Sequence, residues 1–119
     1  MKIWKNSNTA WDEFQPGVFR RILSHDQFAT LALYRFMPDA KIALHKAGTT
    51  HFGLFMKGNG RFDTDRGTFV VGEGDAFFIN PGEGHGFTSG SQSEAIVLEV
   101  FVPPTDQHLA DAQPPHIEF

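Results

Sequence analysis

Residues 67–89 read Gly67-Thr68-Phe69-Val70-Val71-Gly72-Glu73-Gly74-Asp75-Ala76-Phe77-Phe78-Ile79-Asn80-Pro81-Gly82-Glu83-Gly84-His85-Gly86-Phe87-Thr88-Ser89. Three short runs, Gly67–Val71, Asp75–Ile79 and Gly84–Ser89, are separated by Gly72-Glu73-Gly74 and Asn80-Pro81-Gly82. Glycine tolerates positive φ and proline fixes it, so both breaks are turn signals. Runs of this length between turns predict strands, not helices. Asp75-Ala76-Phe77-Phe78-Ile79 does not alternate between apolar and polar residues, so its strand needs cover on both faces.

The same punctuation continues outward. Strands are predicted at Val18–Ser24, Phe28–Phe36, Lys41–His45, His51–Lys57, Gly60–Asp65 and Glu94–Val102. Gly58-Asn59-Gly60 and Asp65-Arg66-Gly67 are hairpin turns by composition. Asn8–Phe14 is the one candidate for a helical turn, with Thr9 capping it. About nine short strands in a chain of 119 residues predict one all-β domain with its core over residues 17–102. Pro103–Phe119 carries four of the seven prolines and reads as a tail laid over the surface or disordered at its end. Sheet edges must be hidden by closing a barrel or by facing two sheets. Ala95-Ile96-Val97-Leu98 is also apolar throughout, so one sheet face is expected to be covered by an opposing sheet or by a second copy. A homodimer is therefore expected, with Lys2-Ile3-Trp4 crossing to the partner.

Composition removes several functions. The net charge is −4, which gives no basic surface for nucleic acid. There is no cysteine, which excludes disulfides, thiolate ligands, iron–sulfur clusters and a cysteine nucleophile. No apolar leader follows Met1, and no run approaches the roughly 18 apolar residues of a membrane span. A soluble, cytoplasmic protein with no membrane partner is expected.

Six histidines remain to be placed. His25, His108 and His116 fall in apparent loops or the tail and are expected to be structural. His45, His51 and His85 each lie at a strand end near glycine. Any one such histidine is more often structural than a ligand, so the frame around the three has to decide.

That frame resembles the cupin superfamily, of the small cupin-2 type. The first cupin motif runs His-x-His, then Glu, then Gly; here it reads His45-Lys46-Ala47-Gly48-Thr49-Thr50-His51 with Gly58 beyond. The second runs Gly, five residues, Pro-x-Gly, two residues, His; here it reads Gly74, Asp75 to Ile79, Asn80-Pro81-Gly82-Glu83-Gly84-His85, with Ser89 at the place of the closing asparagine. The resemblance implies a double-stranded β-helix, or jelly-roll barrel, with a metal at its mouth. Ala47 replaces the second histidine and His51 the glutamate, so the implied ligands are His45, His51 and His85. Such a set suits one divalent transition metal, Zn, Ni, Fe, Mn or Cu. The alternative is a barrel that kept its shape and lost its metal. Three neutral imidazoles leave the ion at +2, which favours a small anionic, chelating substrate, and Ala47 leaves room beside the ion for it.

More of the chain is similar to the pectin-degradation cupins that open unsaturated uronates. The shared features are Trp11-Asp12-Glu13, Gly17-Val18-Phe19-Arg20-Arg21, His45-Lys46, Gly74-Asp75-Ala76-Phe77, His85-Gly86 and Glu99-Val100-Phe101-Val102-Pro103. Glu99 and Phe101 stand where that family has a proton-moving carboxylate beside an aromatic residue. The family's basic residue after this strand has no counterpart, because Thr105-Asp106 stands there. Period 2 puts Glu99 on one face with Val97 and Phe101. If that face is inward, the carboxylate is desolvated and suited to acid or base work; if outward, it is solvated. Phe52, Phe55, Phe77, Phe78 and Phe87 are expected mainly in the core, with Phe87 as pocket wall. Of Arg20, Arg21 and Arg35, an inward one would clamp a carboxylate, although exposure is the usual fate. Three functions follow. The first is a metal-dependent lyase or isomerase on a sugar acid. The second is a three-histidine dioxygenase acting on a diketone or similar small molecule. The third is a non-catalytic, ligand-binding or sensing cupin.

Overall fold

The computed structural model describes residues 1–105 and 112–118. In chain order its strands are β1 (Lys2–Ile3), β2 (Asp12–Gln15), β3 (Val18–His25), β4 (Thr30–Phe36), β5 (Lys41–His45), β6 (Thr50–Lys57), β7 (Asn59–Thr64), β8 (Gly67–Gly72), β9 (Ala76–Ile79), β10 (His85–Ser89), β11 (Ala95–Val102) and β12 (Ile117–Glu118). Six strands form one sheet in the order β2-β3-β4-β11-β6-β9, and four form the other in the order β5-β10-β7-β8. The pairing is antiparallel throughout both. The two sheets face each other as the barrel that the turn spacing predicts.

The inner faces follow from alternation. On β3, Val18, Arg20 and Ile22 are buried; on β4, Thr30, Ala32, Tyr34 and Phe36 are. The centre of the core is a phenylalanine cluster. Phe55 is 1% exposed, with ring centroids 5.4 Å from Phe87, 5.7 Å from Phe77 and 5.8 Å from Phe62. Each such ring pair adds about 0.5–1.5 kcal/mol beyond area burial. Gly53 makes room for it: a Cβ there would lie 2.3 Å from the Leu98 carbonyl and 2.8 Å from the Phe77 ring.

Two expectations change. The segment read as a helical turn at Asn8–Phe14 instead gives a 3-10 turn at Asn6–Asn8 and strand β2. Asp12 and Glu13 pair with Arg20 and Phe19, so ladder hydrogen bonds outweigh local propensity. Thr9 follows the 3-10 turn as its C-cap, its hydroxyl donating to the Asn6 carbonyl. Phe52 and Phe78 are not core: they are 37% and 61% exposed and stack on each other outside the barrel. His51, Gly53 and Phe55 take the inner face of β6, which sends Phe52, Leu54 and Met56 outward.

Lys2-Ile3 pairs with Ile117–Glu118 of its own chain, and Trp4 Nε1 donates to the Gln113 carbonyl. His108, Asp106 and the middle of the predicted tail lie outside the described residues. Among the described residues no helix is long and apolar enough to cross a membrane.

Candidate functional site

A cavity of about 380 Å³ opens between the sheets. Three strands bring the predicted histidines to it. His45 ends β5, His85 opens β10, and the two are paired in register. His51 comes from β6, whose position 51 is opposite Phe101 of β11. The rings stand side by side, with centroids 4.4 Å apart for His45 and His85 and 4.7 Å for His51 and His85. His51 and His85 are buried, and His45 is exposed at the mouth.

The tautomers follow from the backbone. The Nδ1 atoms of His45 and His85 lie 2.9 Å from the carbonyls of Ala43 and Glu83. A carbonyl only accepts, so both Nδ1 atoms carry the proton and both Nε2 atoms keep their lone pairs. Burial, above all, holds the His85 imidazole below the usual histidine range, against the opposing pull of the Glu83 carbonyl. It is therefore neutral at pH 7, as a metal ligand must be. The turn that aims His85 is fixed by Gly82 at φ 81° and by the Asn80 amide and side chain donating to Glu83.

His85 Nε2 and both nitrogens of His51 are buried without a hydrogen bond. Buried polar atoms normally find partners. Three such orphans in one cavity fit the donor set of a divalent transition metal. Among the described residues no three histidine or carboxylate side chains already converge as a metal cage. The chemistry of the donors fits a metal, and the structure fixes no coordination geometry.

Glu99 faces inward, which settles the open choice between its two faces. Its side chain is 15% exposed, it lines the cavity, and its Oε2 lies 3.6 Å from His51 Nδ1. Phe87 and Phe101 also line the wall, both buried. Ala47 does not. Its carbonyl accepts from the Gly82 amide in the loop after β5, and Ala43 takes the expected place in the wall.

Tyr34, Phe14 and Gln15 line the cavity without having been singled out in the sequence. The signal for Tyr34 was its inward place in the alternation of β4; Phe14 was lost with the helical reading of Asn8–Phe14, and Gln15 lay between that segment and the strand predicted from Val18. Burial first, then the Glu99 charge, pushes the Tyr34 phenol up, so it stays protonated. Of the three arginines, Arg20 turns inward: it is 6% exposed, hydrogen-bonds the Tyr34 hydroxyl and sits 5.1 Å over the Phe14 ring. Arg21 holds Asn6 and Thr9, and Arg35 donates to Glu94 at 2.6 Å. His25 packs edge-on against Trp4, away from the cavity, and His116 donates its amide to the Ile3 carbonyl.

The family model described as AraC-like ligand binding domain matches residues 28–112. No curated protein matches the chain in sequence. Among solved structures it is similar to an RmlC-like cupin from Shewanella frigidimarina NCIMB 400, with a TM-score of 0.80, 19% identity, and 88% of this chain and 93% of that one covered. It is similar to KdgF from Halomonas sp., with a TM-score of 0.80, 21% identity and coverage of 88% and 97%. The polyketide cyclase RemF from Streptomyces resistomycificus gives a TM-score of 0.79, 20% identity and coverage of 100% and 87%. At these identities the likeness is one of fold.

Proposed function

The chain belongs to the family of AraC-like ligand-binding domains within the cupin superfamily, and on that premise we propose a metal-dependent lyase or isomerase acting on a small, enolisable, anionic substrate of the sugar-acid kind. One observation carries the reading: three imidazoles with free or orphaned nitrogens share a cavity with a carboxylate 3.6 Å from one of them. A divalent ion held by His45, His51 and His85 would act as a Lewis acid on the substrate's carbonyl or carboxylate oxygen.

The chain's own groups do the rest. Glu99 Oε2 takes the proton from the carbon beside the carbonyl and returns it to another atom of the same substrate. Phe101 and Phe87 keep bulk water from that carboxylate. The Tyr34 hydroxyl, fully protonated, offers a hydrogen bond and no competing charge.

The wall favours a second reading. Phe14, Phe36, Phe55, Phe62, Phe87 and Phe101 all line the cavity, a surface that suits a flat apolar body better than a polyhydroxylated ring. A diketone cleaved with oxygen by the same histidines fits that wall. Metal analysis of protein purified without added metal, followed by turnover of uronates, 2-oxo acids and diketones with and without oxygen, separates the readings. Oxygen-independent turnover of a uronate or 2-oxo acid supports the lyase or isomerase. Oxygen uptake with a diketone replaces it by the dioxygenase. A stable, metal-free barrel that turns over nothing replaces both by a binding or sensing domain.

A further inference from the structure

On β8, alternation and the pairing with β7 put Phe69 beside Phe62 on the inner face of the four-stranded sheet. Other inward phenylalanines are sealed, Phe55 at 1% and Phe87 at 5% exposed, yet Phe69 is 54% exposed. Topology explains the difference. Strand β8 ends the four-stranded sheet, β9 ends the six-stranded one, and no described strand joins their outer edges. Both leave one turn, where the Gly72 amide donates to Asp75 Oδ2 at 2.8 Å, and they part because they belong to different sheets. At the far end the flanking turns meet again. The Gly84 amide donates to Asp65 Oδ2 at 3.1 Å, and a Cβ on Gly84 would lie 2.6 Å from that carboxylate. The other pair of sheet edges, β2 and β5, is bridged by Gln15 Nε2 donating to the Lys41 carbonyl at 2.7 Å.

Between the parted strands lies a second space of about 470 Å³, walled by Phe62, Phe69, Phe77, Phe78 and Ile79. Phe62, Ile79 and His85 line both this cleft and the histidine cavity, so the two spaces adjoin at the His85 imidazole. Each volume falls within the roughly 300–1,000 Å³ of a small-molecule site. The polar side chains of the cleft are committed to its turns. Thr64 Oγ1 donates to the Gly67 carbonyl and accepts from the Arg66 amide. Glu83 accepts from the amide and side chain of Asn80, and Asp65 from Gly84. A hydroxylated ring would find these groups engaged, and the two carboxylates oppose an anion. Arg66 also lines the cleft, and a guanidinium is attracted to an aromatic face.

We propose that the cleft between β8 and β9 is a ligand subsite adjoining the histidine cavity, and that it takes a flat, uncharged aromatic arm. That the arm's oxygen-bearing end lies at the histidines rests on the function proposed above; the preference of the cleft itself does not.

The neutral fluorophore N-phenyl-1-naphthylamine, titrated into the full chain with chelator present, stands in for the arm. Its fluorescence is expected to rise to saturation, and Phe69→Glu is expected to weaken binding by about tenfold or more, the scale of a lost hydrophobic contact in a pocket. Val70→Glu, the next residue on the strand but on the outer face and 85% exposed, is expected to bind as the wild type does. Phe69→Ser repeats the test without a charge should Phe69→Glu alter the far-UV spectrum. In NMR spectra the bound probe should shift the His85 ring signals. It should leave those of Tyr34, the single tyrosine, which lines the histidine cavity and not the cleft. Absence of binding, wild-type affinity in the Phe69 variants, an equal loss with Val70→Glu, or shifts at Tyr34 in place of His85 would each overturn the subsite. Neither metal nor turnover enters these readouts. A cleft that binds nothing leaves the proposed chemistry standing, and a chain without turnover can still bind the probe.

Discussion

Replacing His51 by phenylalanine should stabilise the metal-free barrel and remove its response to metal. His51 is 6% exposed, and both of its ring nitrogens are buried without a hydrogen bond. An unsatisfied buried group costs about 1–3 kcal/mol, which an apolar ring of similar shape recovers. The neighbours suit such a ring, since the centroids of Phe101 and Phe77 lie 4.9 Å and 6.5 Å away. One opposing term is the Glu99 carboxylate at 3.6 Å, which stabilises His51 only when the imidazole is protonated. The same substitution made in a Glu99→Gln background removes that term. For a domain of this size about 4 °C of Tm accompanies each kcal/mol, so His51→Phe should melt about 4–12 °C above the metal-free wild type. With a divalent metal at a hundred times its Kd, the wild type gains about 2.7 kcal/mol, or about 10 °C, and the variant nothing. Thermal melts by circular dichroism, with chelator and then with metal, read both effects. A metal-free variant less stable than the wild type would refute the orphaned-imidazole argument. A variant that still gains Tm with metal would remove His51 from the ligand set.

Further outcomes follow from the same description. Glu99→Gln should keep bound metal, by elemental analysis, and lower kcat on the active substrate by roughly 10²–10⁴; a wild-type rate would take Glu99 out of the chemistry. The Arg35 guanidinium, above all, holds the Glu94 carboxyl below its usual range. A depressed carboxylate stabilises above its unfolded pKa and loses that contribution as pH falls through the folded value. The Tm gap between wild type and Glu94→Gln should therefore be present at pH 7 and close as the pH drops below 4.5; a pH-independent gap would contradict the pairing. Phe55→Ala, at a side chain 1% exposed, should cost about 3–5 kcal/mol in urea unfolding, and a cost under 1 kcal/mol would mean that the cavity wall is not part of the core.

The barrel was legible because its turns are written in glycine and proline. Asn80-Pro81-Gly82 and Gly58-Asn59-Gly60 stop their strands by backbone chemistry alone, and Lys41–His45 keeps its predicted ends. The motif frame singled out the three histidines that meet in the cavity, whereas alternation grouped Glu99 with Val97 and Phe101 but left open which way that face points. What stayed hidden was sidedness. In Phe52-Gly53-Leu54-Phe55 every residue is apolar or glycine, so period 2 cannot tell which half faces the core. Only pairing with β9 and β11 decides that Phe55 is inside and Phe52 outside. Strand β2 was hidden for another reason. Asp12 and Glu13 are poor strand formers, and their conformation is supplied by the neighbouring β3. Arg20 was obscure because an inward arginine depends on Phe14 and Tyr34, partners supplied by the two strands that flank β3.

The hydrogen bonds that set the His45 and His85 rings run to carbonyls only two residues earlier in the chain, Ala43 for His45 and Glu83 for His85. The aim of these donors is thus a local property of one strand end and one turn, independent of the aromatic residues that shape the cavity. Wall positions at the rim such as Phe14, 41% exposed, can change size or polarity without altering which imidazole nitrogen is presented. Selectivity and donor chemistry are separable modules in this barrel. Libraries that vary the wall while holding residues 43–45 and 83–85 should therefore change what is bound far more readily than whether a metal is held.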